Sequence, residues 1–212
     1  MRTDDLIARL TDDLAPVKGG TAQRLLLTAA ALGLLSSAAL MLAVLGLRYD
    51  FDTAITSFGM WTKLVYTFVI AGLGLWTVER LGRPGAGAAR PVALLALPVL
   101  AILLLSAWQM AAPHADMDAL VLGHSSRVCA ANVLLVALPT LAAAFWVLRR
   151  LAPTRPALAG AGAGLFAGAA GAFIYAFHCT EGAAPFIAIW YTLGIVLTAG
   201  VGAVLGRFLL RW

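Results

Sequence analysis

The chain has 212 residues, of which 62% are hydrophobic and only 12% charged, with a formal net charge of +5. Soluble domains carry about 25% charged and about 45–50% apolar residues, so a soluble globular protein is excluded and the surplus apolar surface must face lipid. Two cysteines are also too few for a disulfide framework, though they suffice for one bridge.

Residues 1–24 read as a tail ahead of the membrane domain, 25–212. Thr3 is placed to cap a short helix. Asp4 and Asp5 follow in its first turn, where the positive end of the helix dipole favours acids. Pro16, Gly19 and Gly20 end it. Leu6, Ile7, Leu10 and Leu14 fall on one face, with aspartates and Arg9 elsewhere. A helix shorter than about 12–15 residues is marginal in water, so this one needs a surface to order on. A membrane-surface helix wants a basic polar face. This one is acidic, so a basic protein groove suits it better than anionic headgroups. The other reading is a structural helix lying against the protein's own inner face.

Six apolar stretches follow, near 25–47, 60–78, 92–112, 129–148, 158–177 and 185–206. Each matches the roughly 20 residues that cross a bilayer, so the expected fold is all-α, a polytopic six-helix membrane protein. The first stretch is too long for a signal-peptide core and is kept as a membrane helix. Pro156 and Pro185 suit first-turn positions. Pro98 and Pro139 lie inside spans three and four, where proline kinks a helix. Gly160, Gly164 and Gly168 form a small-residue ridge on span five, and Thr198, Gly202 and Gly206 repeat it on span six. Such ridges let helix backbones approach closely.

The cations set orientation. Twelve of the fifteen lie in the tail, the second and fourth connections and the C-terminal segment, against three (Arg48, Lys63 and Arg127) on the other side. By the positive-inside rule both ends of the chain are cytoplasmic. Connections near 48–59, 113–128 and 178–184 then face outward. Tyr49, Phe58, Trp61, Trp108, Trp190 and Tyr191 are expected there as interfacial anchors. Lys63 is expected to extend outward from the start of span two.

The outward side gathers every histidine, His114, His124 and His178, together with Asp116, Asp118 and Glu181. Cys129 opens span four and Cys179 follows span five. Spans four and five share a short connection and should be antiparallel neighbours, which puts the two cysteines at similar depth. Thiolate and imidazole are ligands for copper-like or zinc-like ions. Three histidines and Glu181 on the same face, which disulfide exchange would not need, favour metal binding, though the same two thiols could instead form a disulfide in an oxidising compartment, or be small buried hydrophobes. No CxxC or HExxH motif is present.

The tail TDDLIARLTDDLAPV, the six spans, the cysteine opening span four and the segment HCTEGAAPFIAIWYTLG together resemble the NrsF-type family of integral-membrane anti-sigma factors. The resemblance covers the whole chain. It implies a multi-pass protein of the bacterial inner membrane that is a regulator rather than an enzyme. Its tail, through Asp4, Asp5, Leu6, Ile7, Leu10 and Leu14, would hold an extracytoplasmic-function sigma factor, with no direct contact to nucleic acid. It also implies that Cys129 and Cys179 take part in sensing a heavy metal or oxidant in a stress response. The alternative is a small metal-ion or small-molecule transporter, which usually needs ionisable groups or broken helices near the midplane. A membrane thiol oxidoreductase would want a reactive pair such as CxxC and a redox cofactor site.

Overall fold

The structure, a computed structural model, describes residues 3–12, 20–83, 85–113 and 115–211; of Leu6, Ala8, Arg9, Leu10 and Asp12 it describes the backbone alone. The described residues are all-helical, with six helices long and apolar enough to cross a membrane: Thr21–Val44, Phe58–Leu81, Ala89–Met110, Met117–Leu151, Pro156–Tyr175 and Ala184–Leu209. These overlap the six expected spans one for one.

The tail helix α1 (Thr3–Asp12) carries Asp4 and Asp5 in its first turn. Its described side chains, Thr3, Asp4, Asp5, Ile7 and Thr11, are all exposed. Leu14 lies outside the described residues, as do the side chains of Leu6 and Leu10. Span one is α2 (Thr21–Val44); a short α3 (Phe51–Ala54) follows. Span two, α4 (Phe58–Leu81), is capped by Ser57, whose hydroxyl accepts the Met60 N–H at 3.2 Å.

Span three is split into α5 (Ala89–Leu94) and α6 (Ala96–Met110). Pro98 has no N–H to give the Leu94 carbonyl, so the ladder is interrupted at Leu95. Span four is α7 (Met117–Val121) and α8 (Ser126–Leu151), and α8 runs unbroken through Pro139. Span five, α9 (Pro156–Tyr175), begins on a first-turn proline, as expected. Span six starts with α10 (Ala184–Phe186), passes through a π-helical turn at Ile187–Tyr191 and continues as α11 (Thr192–Leu209).

The six spans are not equal. In its most apolar stretch α9 is 72% buried, where span three is only 17% buried. The reason is composition. Nearly every inward position of α9 is Gly or Ala, so it offers lipid little side chain and lets neighbouring backbones close on it. It is the axis, packed by α11, α4 and α8. A Cβ added at Gly160 would run into the Gly202 carbonyl, and one at Gly164 into the Thr198 carbonyl. On its other side, a Cβ at Gly171 would lie 2.9 Å from Ala137 Cα of α8. The two small-residue ridges read from the sequence therefore face one another along the length of the bundle. Helix α9 is about 30 Å long at 1.5 Å per residue, so this seam links the end where α1 enters to the end that holds both cysteines.

Candidate functional site

At the end away from α1, three segments bring the two thiols together. Helix α8 begins at Ser126 and turns Cys129 fully inward. The connection after α9 carries Cys179, whose N–H continues the helical pattern onto the Tyr175 carbonyl at 3.0 Å. The π turn supplies Tyr191. Both cysteines are free thiols and lie in one buried cluster with Tyr175 and Tyr191. Ser125 Oγ lies 3.9 Å from the same sulfur. The expectation that Cys129 and Cys179 share one depth is met.

Two cations converge on the backbone of Cys179. Lys63 Nζ donates to its carbonyl at 2.7 Å and Arg48 Nη1 at 3.1 Å. Arg48 also grips Asp50 through Nε and Nη2, each at 2.7 Å. That pairing holds Asp50 below the usual carboxylate range and raises Arg48. Cys179 is held below the ordinary thiol range by the Cys129 thiol first and, after the opposing effect of burial, by Lys63. It is therefore the more acidic of the two thiols and the one poised to react as a thiolate.

Two expectations are corrected here. Lys63 does not extend outward; it is wholly buried, because helical spacing puts it on the inward face of α4 with Met60, Tyr66, Thr67 and Ile70. Tyr191 is not an interfacial anchor either. It is fully buried and its ring centroid lies 5.9 Å from that of Tyr175. Tyr191 belongs to the same buried cluster as both cysteines, yet no described group meets hydrogen-bond geometry with its hydroxyl. Trp190, one residue earlier, is part-buried and gives its ring N–H to the Val121 carbonyl at 2.9 Å. Tyr49, Phe58, Trp61 and Trp108 are exposed, as anchors must be.

The other expected site residues do not join the sulfurs. His178 Nδ1–H donates to the Gly46 carbonyl at 3.0 Å, and its ring lies 5.6 Å from that of Tyr175. Glu181 Oε1 accepts the His124 backbone N–H at 2.8 Å and lies 3.6 Å from His124 Nδ1, whose side chain is fully exposed. Gly123 makes room for that carboxylate: at φ +50°, an added Cβ would lie 2.6 Å from Glu181 Oε2. Asp116 caps α7, accepting from Asp118 and Ala119 N–H at 3.1 and 3.2 Å. Asp118 is exposed in the first turn. His114 lies outside the described residues. Among the described residues, no three His, Cys, Asp or Glu side chains converge as a metal-holding group. What the arrangement offers chemically is a pair of buried thiols in one cluster, with a lysine held on the main chain of one of them.

The family model described as "Negative regulator of sigma F" matches residues 10–212. A protein of Azospira oryzae named "Probable anti-sigma-F factor NrsF" is 37% identical over 213 residues, covering 100% of both chains. The "Anti-sigma-F factor NrsF" of Caulobacter vibrioides is 38% identical over 215 residues, again covering 100% of both. No solved structure matches.

Proposed function

The chain belongs to the NrsF family of negative regulators of sigma F, and from that premise we propose that it holds an extracytoplasmic-function sigma factor at the bacterial inner membrane and releases it when Cys129 and Cys179 are oxidised to a disulfide. The capture element is the exposed face of α1, and the thiol end of the bundle faces the periplasm. The observation that carries this reading is the pairing itself. Two cysteines fifty residues apart in sequence come into one buried cluster as free thiols, inside a bundle whose far end bears the tail. Oxidation is favoured over metal ligation because His178 and Glu181, which flank Cys179 in sequence, are engaged with Gly46 and His124, and among the described residues no three donors converge.

The test uses membranes carrying the full chain with its sigma factor bound. Diamide should form the disulfide, detected as loss of maleimide labelling, and release the sigma factor into the supernatant. Cys129→Ser and Cys179→Ser should each retain it. Release that persists in the double serine variant overturns the switch.

Orientation has its own test, motivated by the twelve cations on one side. Reporter fusions after Arg83 and Arg150 should read cytoplasm, and fusions after Asp116 and Gly182 should read periplasm. An inward reading at Asp116 reverses the scheme.

A further inference from the structure

Lys63 is a lysine without a surface: its relative exposure is 0%. Its ammonium donates to the Cys179 carbonyl, which relieves one N–H but supplies no charge. Arg48, on the same carbonyl, has Asp50 as counter-ion. Among the described residues no carboxylate lies within ion-pair distance of Lys63. What lies beside it is Cys179, whose carbonyl it holds at 2.7 Å, and the acid of the same connection, Glu181, is engaged with His124. A buried ammonium is costly unless an anion faces it. Cys179, the more acidic of the two thiols and the residue whose carbonyl Lys63 holds, is placed to supply that anion in the reduced protein.

We propose that Lys63 is a positioning residue that converts oxidation of the thiol pair into a structural change, by losing its buried counter-ion when the disulfide forms. This rests on the oxidation reading above. With hydrogen peroxide as oxidant, the Cys179 thiolate attacks one peroxide oxygen. An S–O bond forms, the O–O bond breaks and hydroxide leaves. The Cys129 sulfur then attacks Cys179, an S–S bond forms, the S–O bond breaks and a second hydroxide leaves. One hydroxide takes the Cys129 proton and the other a proton from solvent. One thiol, one thiolate, one peroxide and one proton become one disulfide and two waters; the sulfurs lose two electrons and the peroxide gains them. The negative charge disappears while Lys63 keeps its positive one.

Left unanswered, the ammonium must shed its proton or reach water, and either way its charge-assisted hold on the Cys179 carbonyl is weakened or lost. That contact, with Arg48, ties down the 178–183 connection. The π turn at Ile187–Tyr191 lies just beyond it, with Tyr191 set against the sulfurs, and π turns inside helices are common at functional sites. The turn heads α11, whose seam with α9 runs to the end where α1 enters. Loosening at the thiols therefore reaches the tail through packed backbone.

The test compares full-length wild type, Lys63→Met and Lys63→Arg in membranes with the sigma factor bound, treated with hydrogen peroxide and compared at equal disulfide content. In wild type, sigma retention should fall about tenfold. In Lys63→Met it should change by less than about twofold, since the charge that drives opening is gone. Lys63→Arg should restore release, which a packing role alone would not predict for the bulkier side chain. Lys63→Met protein that releases its sigma factor as wild type does overturns this inference and leaves the oxidation reading standing. Wild-type protein that keeps its sigma factor with the disulfide formed overturns both. If Lys63→Met does not accumulate, amide hydrogen exchange in wild type carries the comparison. Exchange across 178–191 should rise on oxidation, and unchanged protection overturns the proposal.

Discussion

Gly164→Leu should abolish the folded bundle, whereas Gly200→Leu on the same pair of helices should leave it intact. The two positions differ in what a side chain would meet. At Gly164 an added Cβ runs into the Thr198 carbonyl and lies 2.7 Å from Ala199 Cα. These are backbone atoms, so no rotamer change relieves the overlap and α9 must separate from α11. At Gly200 nothing lies within 4 Å. Even Gly164→Ala should destabilise: alanine gains up to about 1 kcal/mol in helix propensity, but overpacking costs about 1–3 kcal/mol, and here the obstacle is main chain. Gly200→Ala keeps the propensity gain with no clash. Unfolding of the purified proteins by SDS in mixed micelles measures both. Equal midpoints for Gly164→Ala and Gly200→Ala would show that the seam does not hold the bundle together.

Much of this architecture was legible because membrane helices are long, apolar and punctuated by arginine. The glycine ridges were legible for a related reason: Gly160, Gly164 and Gly168 repeat at four-residue spacing, and only packing against another backbone explains such a stripe. The meeting of Cys129 and Cys179 followed from antiparallel neighbours with matched ends. The wiring around them did not. Lys63 was read by the habit of lysine near a membrane surface, although its spacing from Met60, Tyr66, Thr67 and Ile70 already placed it on the inward face. Trp190 and Tyr191 were read together as anchors, yet adjacent helical residues point about 100° apart, so one facing outward sends the other in. The histidines had no such handle. Loop side chains obey no period, and nothing in HCTEG says that His178 turns to Gly46 or that Glu181 folds under Gly123.

Ile7→Asp should release the sigma factor without any oxidant. Helix α1 keeps its described side chains exposed, and Ile7 is 54% exposed, which leaves about half of an apolar side chain on an acidic helix for a partner to cover. Burying such a side chain in a partner is worth about 1.5–3 kcal/mol, and each 1.4 kcal/mol is about tenfold in affinity. Loss of that burial alone weakens capture about tenfold or more. Aspartate adds the penalty of desolvating a charge, which takes the loss toward a hundredfold, roughly 2.7 kcal/mol. Ile7→Leu keeps the apolar burial and should hold the sigma factor nearly as wild type does. The acidic side contributes differently: Asp4 and Asp5 are exposed, so their attraction to a basic groove should weaken with added salt, while the Ile7 contribution should not. Co-sedimentation of sigma factor with membranes carrying each variant, at low and high salt, separates the two. A chain lacking residues 3–12 that still sediments its sigma factor would move the capture surface off α1 and onto the arginine-bearing connections at the same end of the bundle.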